Sequence, residues 1–269
     1  MPCPPALESR GGCGHVPRGC RFAGMRYLVL SDIHSNLEAF SAVLDDAGRR
    51  GFDRCVVLGD IVGYGASPNE TVGMVRELEP AAIVRGNHDK AACGITEAQS
   101  FNDAAKVAVL WTRDVLSVEN RRYLRELPQG PVDAGGFVIS HGSPLDEEEY
   151  ILGEIDAGGA FEDGDFEIAF FGHTHFACVF VHSGGRSKLR LTPPERGVLR
   201  LEPGARYLIN PGSIGQPRDH DPKAAYAIFD AERRTLETFR VAYDVQRAQS
   251  LIEQAGLPPV LGERLLLGY

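Results

Sequence analysis

The stretch Val84-Arg85-Gly86-Asn87-His88-Asp89 ends an apolar run with a glycine and three polar residues. A short apolar run bounded by glycine is typical of a buried strand that ends in a turn. Polar side chains placed directly after a buried strand, on the loop that leaves it, are more often functional than structural. The stretch therefore predicts a strand of a covered sheet with a chemical site at its end.

Four other apolar runs end in Asp or His in the same way. They are Leu30-Ser31-Asp32-Ile33-His34, Val57-Leu58-Gly59-Asp60, Ile139-Ser140-His141-Gly142 and Phe171-Gly172-His173-Thr174-His175. Open α/β sheets place their sites at the rim where the strands end. The mixture of Asp, Asn and His side chains suits first-row transition metals.

Each motif alone has a plainer interpretation. A Gly-Asp pair such as Gly59-Asp60 is usually a turn or a helix cap, and Asp32 and His34 could simply share one face of an extended segment. The pair His173 and His175, directly after an apolar run and a glycine, is more specific. All five motifs together predict a metal site, since five of the eight histidines fall within them.

In this order the motifs resemble those of the calcineurin-like metallophosphoesterases, from about Met25 to Tyr269. The runs at 59–65 and 210–218, and the terminal pieces at 256–258 and 263–266, are similar to a bacterial and archaeal group of small stand-alone phosphoesterases. The resemblance implies an α/β fold, a four-layer αββα sandwich of two mixed β-sheets flanked by helices. It also implies a single domain over 25–269, with a helical cap at about 96–127.

The resemblance further implies two divalent or trivalent transition-metal ions, with Mn²⁺ expected and Fe, Zn, Ni or Co as alternatives. The implied ligands of one ion are Asp32, His34, Asp60 and His175, and those of the other are Asp60, Asn87, His141 and His173. Two such ions lower the pKa of a bridging water and clamp phosphoryl oxygens. The implied reaction is attack by a metal-bridging hydroxide on a phosphodiester or phosphomonoester of a small or nucleotide-like substrate.

Three further residues receive roles beside the metals. His88 is not among the implied ligands, so we expect it to donate a proton or hydrogen bond to the leaving oxygen as a general acid. Asp89 either orients His88 or caps the following helix. Arg218, with Asn87, is expected to bind substrate, Arg218 through its guanidinium fork. Arg218 could instead form a surface ion pair with Asp219 or Asp221.

Two other functions stay open. Serine/threonine protein phosphatases of this superfamily carry Gly-Asp-x-x-Asp-Arg-Gly, and here Gly63 and Tyr64 stand in place of its second Asp and its Arg. This departure argues against protein phosphatase activity. The second alternative is a non-catalytic metal-binding scaffold of the same fold, although such a protein would be expected to lose His or Asn ligands first.

Composition limits the partners and the location. The formal net charge of −9 argues against a stable nucleic-acid complex, because phosphate-backbone affinity needs clustered Lys and Arg. No apolar run approaches the roughly 18 residues that span a bilayer. Six cysteines without a signal peptide predict reduced thiols in a cytoplasm. We expect a small phosphoester as substrate, and the leucine-rich end at 265–267 could dock on the body or form a homo-oligomer.

The first 24 residues differ from the rest, because Pro, Gly, Arg and Cys dominate them. They predict a disordered extension, or a start codon assigned too early. A zinc site at Cys13, His15 and Cys20 lacks a standard spacing.

From Met25 the pattern predicts a βαβαβ run, a helix over 96–117, a second helical segment over 118–127 after a break, and then short hairpin strands. An amphipathic helix is predicted over 244–255. The acidic run 146–149 is expected to be solvated.

Overall fold

The side chains of the first strand alternate between two different cores. Tyr27 and Val29 pack in one buried cluster, whereas Leu28 and Leu30 pack in another. All four are almost fully buried, so this strand lies at the centre of the protein. Successive side chains of a strand point to opposite faces, and both faces of this sheet are therefore covered.

A computed structural model describes residues 24–191 and 197–269. The proposed extension and the candidate zinc residues Cys13, His15 and Cys20 lie outside the described residues. The described strands, in chain order, are β1 (Arg26–Leu30), β2 (Arg54–Val57), β3 (Ala82–Ile83), β4 (Val132–Asp133), β5 (Val138–Ile139), β6 (Ile168–Phe170), β7 (Cys178–Ser183), β8 (Arg186–Leu191), β9 (Val198–Arg200), β10 (Arg206–Asn210), β11 (Ala224–Asp230) and β12 (Thr235–Val241).

The described helices alternate with the first strands and then close the two outer faces. They are α1 (Leu37–Arg50), α2 (Pro68–Glu77), α3 (Asn87–Cys93), α4 (Asp103–Val115), α5 (Val118–Glu126), α6 (Glu154–Asp163), α7 (Val245–Gln254) and α8 (Pro259–Leu267). None of them is long and apolar enough to cross a membrane.

The strands form two mixed sheets of six strands each, in the orders β3-β2-β1-β11-β12-β9 and β4-β5-β6-β10-β7-β8. Strands β1, β2 and β3 are parallel, as are β5, β6 and β10. The remaining pairs are antiparallel. Parallel strands need covering helices, and α1 and α2 make the crossovers of the predicted βαβαβ run.

Three buried clusters define the layers. One contains Val29, Phe137, Phe170 and Phe229 and fills the space between the sheets. A second packs the helices of the N-terminal half on the first sheet, and a third packs α6 on the second sheet through Phe161. The predicted four-layer αββα sandwich is confirmed.

Several element boundaries differ from the sequence predictions. The helix predicted over 96–117 begins only at Asp103, because the Asn102 side chain accepts a hydrogen bond from the Ala105 N–H and starts the helix there. Helices α3, α6 and α8 and strands β4 and β8 were not predicted. They are short, and their formation depends on pairing and packing partners distant in sequence.

The C-terminal prediction of an amphipathic helix is confirmed as α7, which Asp244 caps. The leucine-rich end docks on the body through α8, in which Leu261 and Leu265 are buried. The expectation that the whole acidic run is solvated is wrong for Glu147. Its side chain is only 11% exposed, because it pairs with the buried Lys90.

Candidate metal centre

The predicted ligands all follow the carboxyl ends of parallel strands. Asp32 and His34 follow β1, Asp60 follows β2, and Asn87 follows β3 as the first residue of α3. His141 follows β5, and both His173 and His175 follow β6. The two sheets therefore deliver all seven side chains to one shared rim.

Four side chains form a first cluster, in which the potential ligand atoms of Asp32, His34, Asp60 and His175 all lie within 4.8 Å of one another. His34 Nε2 lies 3.5 Å from Asp60 Oδ2. His175 Nε2 lies 3.4 Å from Asp32 Oδ1. All four residues are buried, so this group of carboxylates and imidazoles is shielded from solvent.

A second cluster shares one member with the first. Asp60, His141 and His173 present potential ligand atoms within 4.8 Å of one another. His141 Nε2 lies 3.4 Å from Asp60 Oδ2 and 3.3 Å from the side-chain oxygen of Asn87. Asp60 Oδ2 is therefore directed at both groups.

Backbone carbonyls set the orientation of three of the histidines. The Nδ1–H groups donate to carbonyl oxygens at 3.1 Å from His34 to Val62, 2.8 Å from His141 to Leu58 and 2.6 Å from His175 to Gln216. A carbonyl can only accept, so Nδ1 carries a proton in each of these rings, and Nε2 presents a lone pair to the cluster when the ring is neutral. This arrangement is usual for metal-binding histidines.

The imidazole geometry fits a cation in the first cluster. His34 Nε2 and His175 Nε2 lie 3.0 Å apart. With both Nδ1 atoms protonated, two lone pairs face each other at this distance and repel, unless a positive charge lies between them. His173 Nε2 is likewise buried without a hydrogen-bond partner. These residues could hold metal ions, and their Asp, Asn and His donors match transition metals.

The ligand backbone is tightly constrained. Positive φ angles of 49–66° occur at Asp32, His34, Asp60, His173 and His175. Such conformations cost non-glycine residues on the order of 1 kcal/mol each. They are characteristic of functional sites that the surrounding structure holds in place.

Glycines allow the close approach of the strand ends. A Cβ atom on Gly86 would lie 2.0 Å from Asp60 Oδ1, and one on Gly172 would lie 2.2 Å from Ser31 Oγ. The glycines that directly precede Asn87 and His173 are therefore required, because any larger side chain would clash there.

Burial and neighbouring charges shift the pKa values of Asp60 and His141 in opposite directions. Burial alone would raise the pKa of Asp60, but the positive charge of His141 beside it holds this pKa well below its usual range. Burial would lower the pKa of His141, but the Asp60 carboxylate and the hydrogen bond to it raise this pKa to about 9. The pKa of Asp32 rises to about 6, mainly through burial.

Comparison with known proteins agrees with this geometry. A model of the calcineurin-like phosphoesterase superfamily domain matches residues 25–234. The chain belongs to the calcineurin-like phosphoesterase superfamily. The resemblance inferred from the five motifs is therefore confirmed.

The relatives of this phosphoesterase-family chain span nearly its whole described length. It is 42% identical over 245 residues to an uncharacterized protein of Methanocaldococcus jannaschii, covering 89% of this chain and 97% of that protein. The crystal structure of a metallophosphoesterase from Sphaerobacter thermophilus is 41% identical, with a TM-score of 0.81 and coverage of 91% and 99%. A hypothetical protein from Pyrococcus horikoshii shares the fold at 22% identity, with a TM-score of 0.74 and coverage of 91% and 98%.

His88 lies beside the clusters without joining either of them. Its Nδ1 is buried without a hydrogen-bond partner, and its ring packs 4.4 Å from that of Tyr64 and 4.7 Å from that of Phe101. Burial lowers the pKa of His88 to about 4, so the ring is neutral at pH 7. A neutral imidazole still has one N–H with which to donate a hydrogen bond.

Asp89 is fully engaged by the backbone. Its Oδ2 accepts from the Gly86 N–H at 2.9 Å, and its Oδ1 accepts from the Val62 N–H at 3.1 Å. These bonds describe a helix cap that also ties α3 to the loop after β2. The described hydrogen bonds of Asp89 do not include one to His88.

Arg218 is half-buried and directed inward. Its Nη2 donates to the Tyr64 hydroxyl at 3.2 Å and to Gln216 Oε1 at 3.3 Å, while its Nε is buried without a partner. The neighbouring Asp219 pairs with Arg240 instead. Asp221 accepts a hydrogen bond from the Lys223 N–H. Among the described residues, Arg218 therefore forms no ion pair with Asp219 or Asp221.

Two features of the site were missed from the sequence. The Tyr150 ring lies 3.8 Å from the ring of His173, and Lys90 of α3 ties down the loop before Tyr150 by bonding Glu147 and Glu148. The acidic run that precedes Tyr150 was the available signal, but its partner Lys90 is more than 50 residues away.

Proposed function

We propose that the chain is a metal-dependent phosphoester hydrolase that uses two transition-metal ions on a small or nucleotide-like substrate. The observation that carries this proposal is the sharing of Asp60 between two clusters of potential ligand atoms. One carboxylate directed at two adjacent groups of donors is the arrangement expected of a two-metal site.

The ligand sets follow from the clusters. Asp32, His34, Asp60 and His175 would hold one ion. The other would be held by Asp60, His141 and His173, with the Asn87 oxygen completing that group. When bound, two such ions would supply Lewis acidity to the phosphoryl group and acidify a water molecule for attack.

The charge balance favours an anionic substrate. Asp32 and Asp60 supply two negative charges. Two bound dications would supply four positive charges, which leaves a net charge of +2 at the centre. The local field of bound ions dominates such a site, so a phosphoester can bind there despite the net charge of −9.

The remaining residues act on the substrate around this centre. Asp60 Oδ1 accepts from the His88 N–H at 2.9 Å, which places His88 next to the shared carboxylate. The His88 ring would donate to the leaving oxygen. The Arg218 guanidinium, whose Nε has no partner, would bind a phosphoryl oxygen that does not react.

The contacts of Gly63 and Tyr64 argue against a serine/threonine protein phosphatase. A Cβ atom on Gly63 would lie 2.4 Å from His88 Nδ1, so a carboxylate side chain has no room at this position. Tyr64 packs on the His88 ring and accepts a hydrogen bond from Arg218.

Mn²⁺ as the metal and a cytoplasmic location are further parts of the proposal.

The test combines metal content with turnover. Purified protein is stripped with a chelator, reloaded with Mn²⁺, and assayed with p-nitrophenyl phosphate and bis(p-nitrophenyl) phosphate. We expect about two ions per chain by elemental analysis, as for a two-metal site, and hydrolysis that requires them. Two bound ions without turnover of any ester would instead favour the scaffold alternative, and a single bound ion with full activity would contradict the shared role of Asp60.

A further inference from the structure

A cleft of about 220 Å³ opens beside the candidate metal centre. Its inner end is formed by Asn87, His88 and His173, which belong to or adjoin the centre. Its outer walls come from the segment 100–102 before α4 and from Glu148 and Tyr150 of the loop after β5. A phosphoester with its phosphoryl group at the centre would therefore place its leaving group in this cleft.

Aromatic rings form much of the cleft wall. Tyr150 stacks on His173, with 3.8 Å between ring centroids and an interplanar angle of 33°. Phe101 meets His88 edge-on, at 4.7 Å and 88°. Such walls favour a flat ring, because ring stacking contributes energy beyond simple area burial.

The size of the cleft limits what it can enclose. A cavity of roughly 150 Å³ accommodates a benzene ring. The cleft is somewhat larger than this, so a single ring with a few polar substituents fits. Ser100 and Asn102 on its wall can offer hydrogen bonds to those substituents.

The described cleft lining carries a negative charge and no positive side chain. Among the described lining residues, Glu148 is the only carboxylate, and no Lys or Arg is present. The Glu148 side chain lines the cleft and is 54% exposed. A negatively charged leaving group would meet this carboxylate with no cation on the cleft lining, and the single charge of Lys90 is shared between Glu147 and Glu148.

The cations that contact Glu147 and Glu148 already have partners. Lys90 bonds both Glu147 and Glu148, and its side chain is only 5% exposed. Arg85 Nε lies 3.6 Å from Glu147 Oε2. Neither is available to bind a second phosphate.

We infer that this cleft is a leaving-group subsite for an uncharged, ring-bearing alcohol, and that Glu148 selects against leaving groups that carry a negative charge. This inference rests on the proposed function. It excludes esters whose leaving group bears a further phosphate from the preferred substrates.

The test uses two esters that differ in one charge. The leaving groups of 4-carbamoylphenyl phosphate and 4-carboxyphenyl phosphate have the same ring and nearly the same shape. With the Mn²⁺-loaded protein, we expect kcat/KM to be about tenfold or more higher for the neutral ester, the size of one charge repulsion in a partly solvated site.

Glu148→Gln removes the carboxylate charge, so this ratio should fall to about threefold or less. The remaining difference would come from more distant charges that solvent screens. The variant keeps an acceptor for Lys90, which also retains Glu147, and its melting temperature checks that it folds. Glu149→Gln is the matched control, since Glu149 is exposed and does not line the cleft. A ratio near one in the unmodified protein, or an unchanged ratio in Glu148→Gln, would overturn the inference while hydrolysis persists.

A second variant tests the aromatic wall. Tyr150→Ala should raise KM for phenyl phosphate by about fivefold, close to 1 kcal/mol of stacking, and leave KM for methyl phosphate within about twofold. Leu152→Ala is its control, because Leu152 is 73% exposed. Equal changes for the two esters would contradict ring binding.

Failure of the proposed function gives a different result. If no ester is hydrolysed, saturation-transfer NMR with free 4-hydroxybenzamide and 4-hydroxybenzoate still tests the cleft. Transfer to the amide alone, reduced in Tyr150→Ala, supports the subsite. Equal transfer to both alcohols, or to neither, overturns it.

Discussion

The backbone N–H of His88 donates a hydrogen bond to Oδ1 of Asp60 over 2.9 Å. This bond occupies one carboxylate oxygen and turns the other, Oδ2, towards His34 Nε2 at 3.5 Å and His141 Nε2 at 3.4 Å. The first turn of α3 thus orients the shared carboxylate and also places the His88 ring. The two candidate roles, metal bridging and donation to the leaving group, are set by the same contact.

Replacing the shared carboxylate should affect metal binding and turnover together. In Asp60→Asn, the amide presents one oxygen only, which either the His88 N–H or the two clusters can use. We expect metal content to fall from about two ions towards one and hydrolysis to fall with it. Asp45→Asn, on the exposed side of α1, should change neither quantity. An inactive Asp60→Asn protein with two full sites by elemental analysis would contradict the bridging role.

A glycine substitution tests the tight packing behind Asp60. In Gly86→Ala the added Cβ would lie 2.0 Å from Asp60 Oδ1, so the carboxylate or the backbone must move. We expect a loss of about 2 kcal/mol or more in the free energy of unfolding and reduced metal content. Denaturant titration and elemental analysis measure the two effects.

The matched control for this steric argument is Gly73→Ala. Gly73 lies within α2, and nothing lies within 4 Å of its added Cβ. This change should stabilise the protein by about 0.5–1 kcal/mol through helix propensity. Equal effects of the two substitutions would mean that the contact with Asp60 is not what requires Gly86.

Metal uptake should depend on pH with a defined sign. In the metal-free site the pKa of His141 is raised to about 9 and that of Asp32 to about 6, so one proton remains on His141 between these values. A cation must displace that proton, and its affinity should rise about tenfold per pH unit from pH 6 to 9 and then level off. Calorimetry in buffers of different ionisation enthalpy should find about one proton released per chain near pH 7.5. Release of none would contradict the charged His141.

If His88 assists the leaving group, its removal should slow alkyl esters more than p-nitrophenyl esters. His88→Asn retains the backbone N–H that holds Asp60, so both metals should stay bound. Because the His88 ring is neutral at pH 7, it would act as a hydrogen-bond donor, and we expect kcat for alkyl esters to fall by about 10²–10³, the range for one lost donor to a developing oxyanion. The fall should be smaller for p-nitrophenyl esters, whose leaving group needs little help. Loss of a metal, or equal slowing of both ester types, would assign His88 to another role.

The inward position of Arg218 predicts a substrate effect without a metal effect. Arg218→Ala should lower kcat/KM by about tenfold or more, or 1.4 kcal/mol, with unchanged metal content. Arg233→Ala removes the same charge from a side chain that is 77% exposed and should leave the kinetics unaltered. Unchanged kinetics in Arg218→Ala, with several esters, would show that the guanidinium only supports Tyr64 and Gln216.

The strand-end motifs determine much of this protein without the structure. Asp32, Asp60 and His141 each follow a short apolar run, and apolar runs form the buried parallel strands whose ends share a rim. The polar residues after each run therefore meet at one place, and both clusters contain only residues that these motifs predict. Local periodicity also predicts α1, α2 and α7, because each buries one apolar face.

Other features were decided only by the tertiary structure. The carbonyls of Leu58, Val62 and Gln216 orient histidines, and carbonyl direction depends on backbone angles that no residue type specifies. Lys90 bonds Glu147 across 57 positions, and Tyr150 stacks on His173. Such pairs form when the fold brings distant segments together, and sequence spacing carries information only about neighbours on one helix or strand. The motifs thus determined which residues meet at the centre, whereas long-range packing decided the cleft beside it.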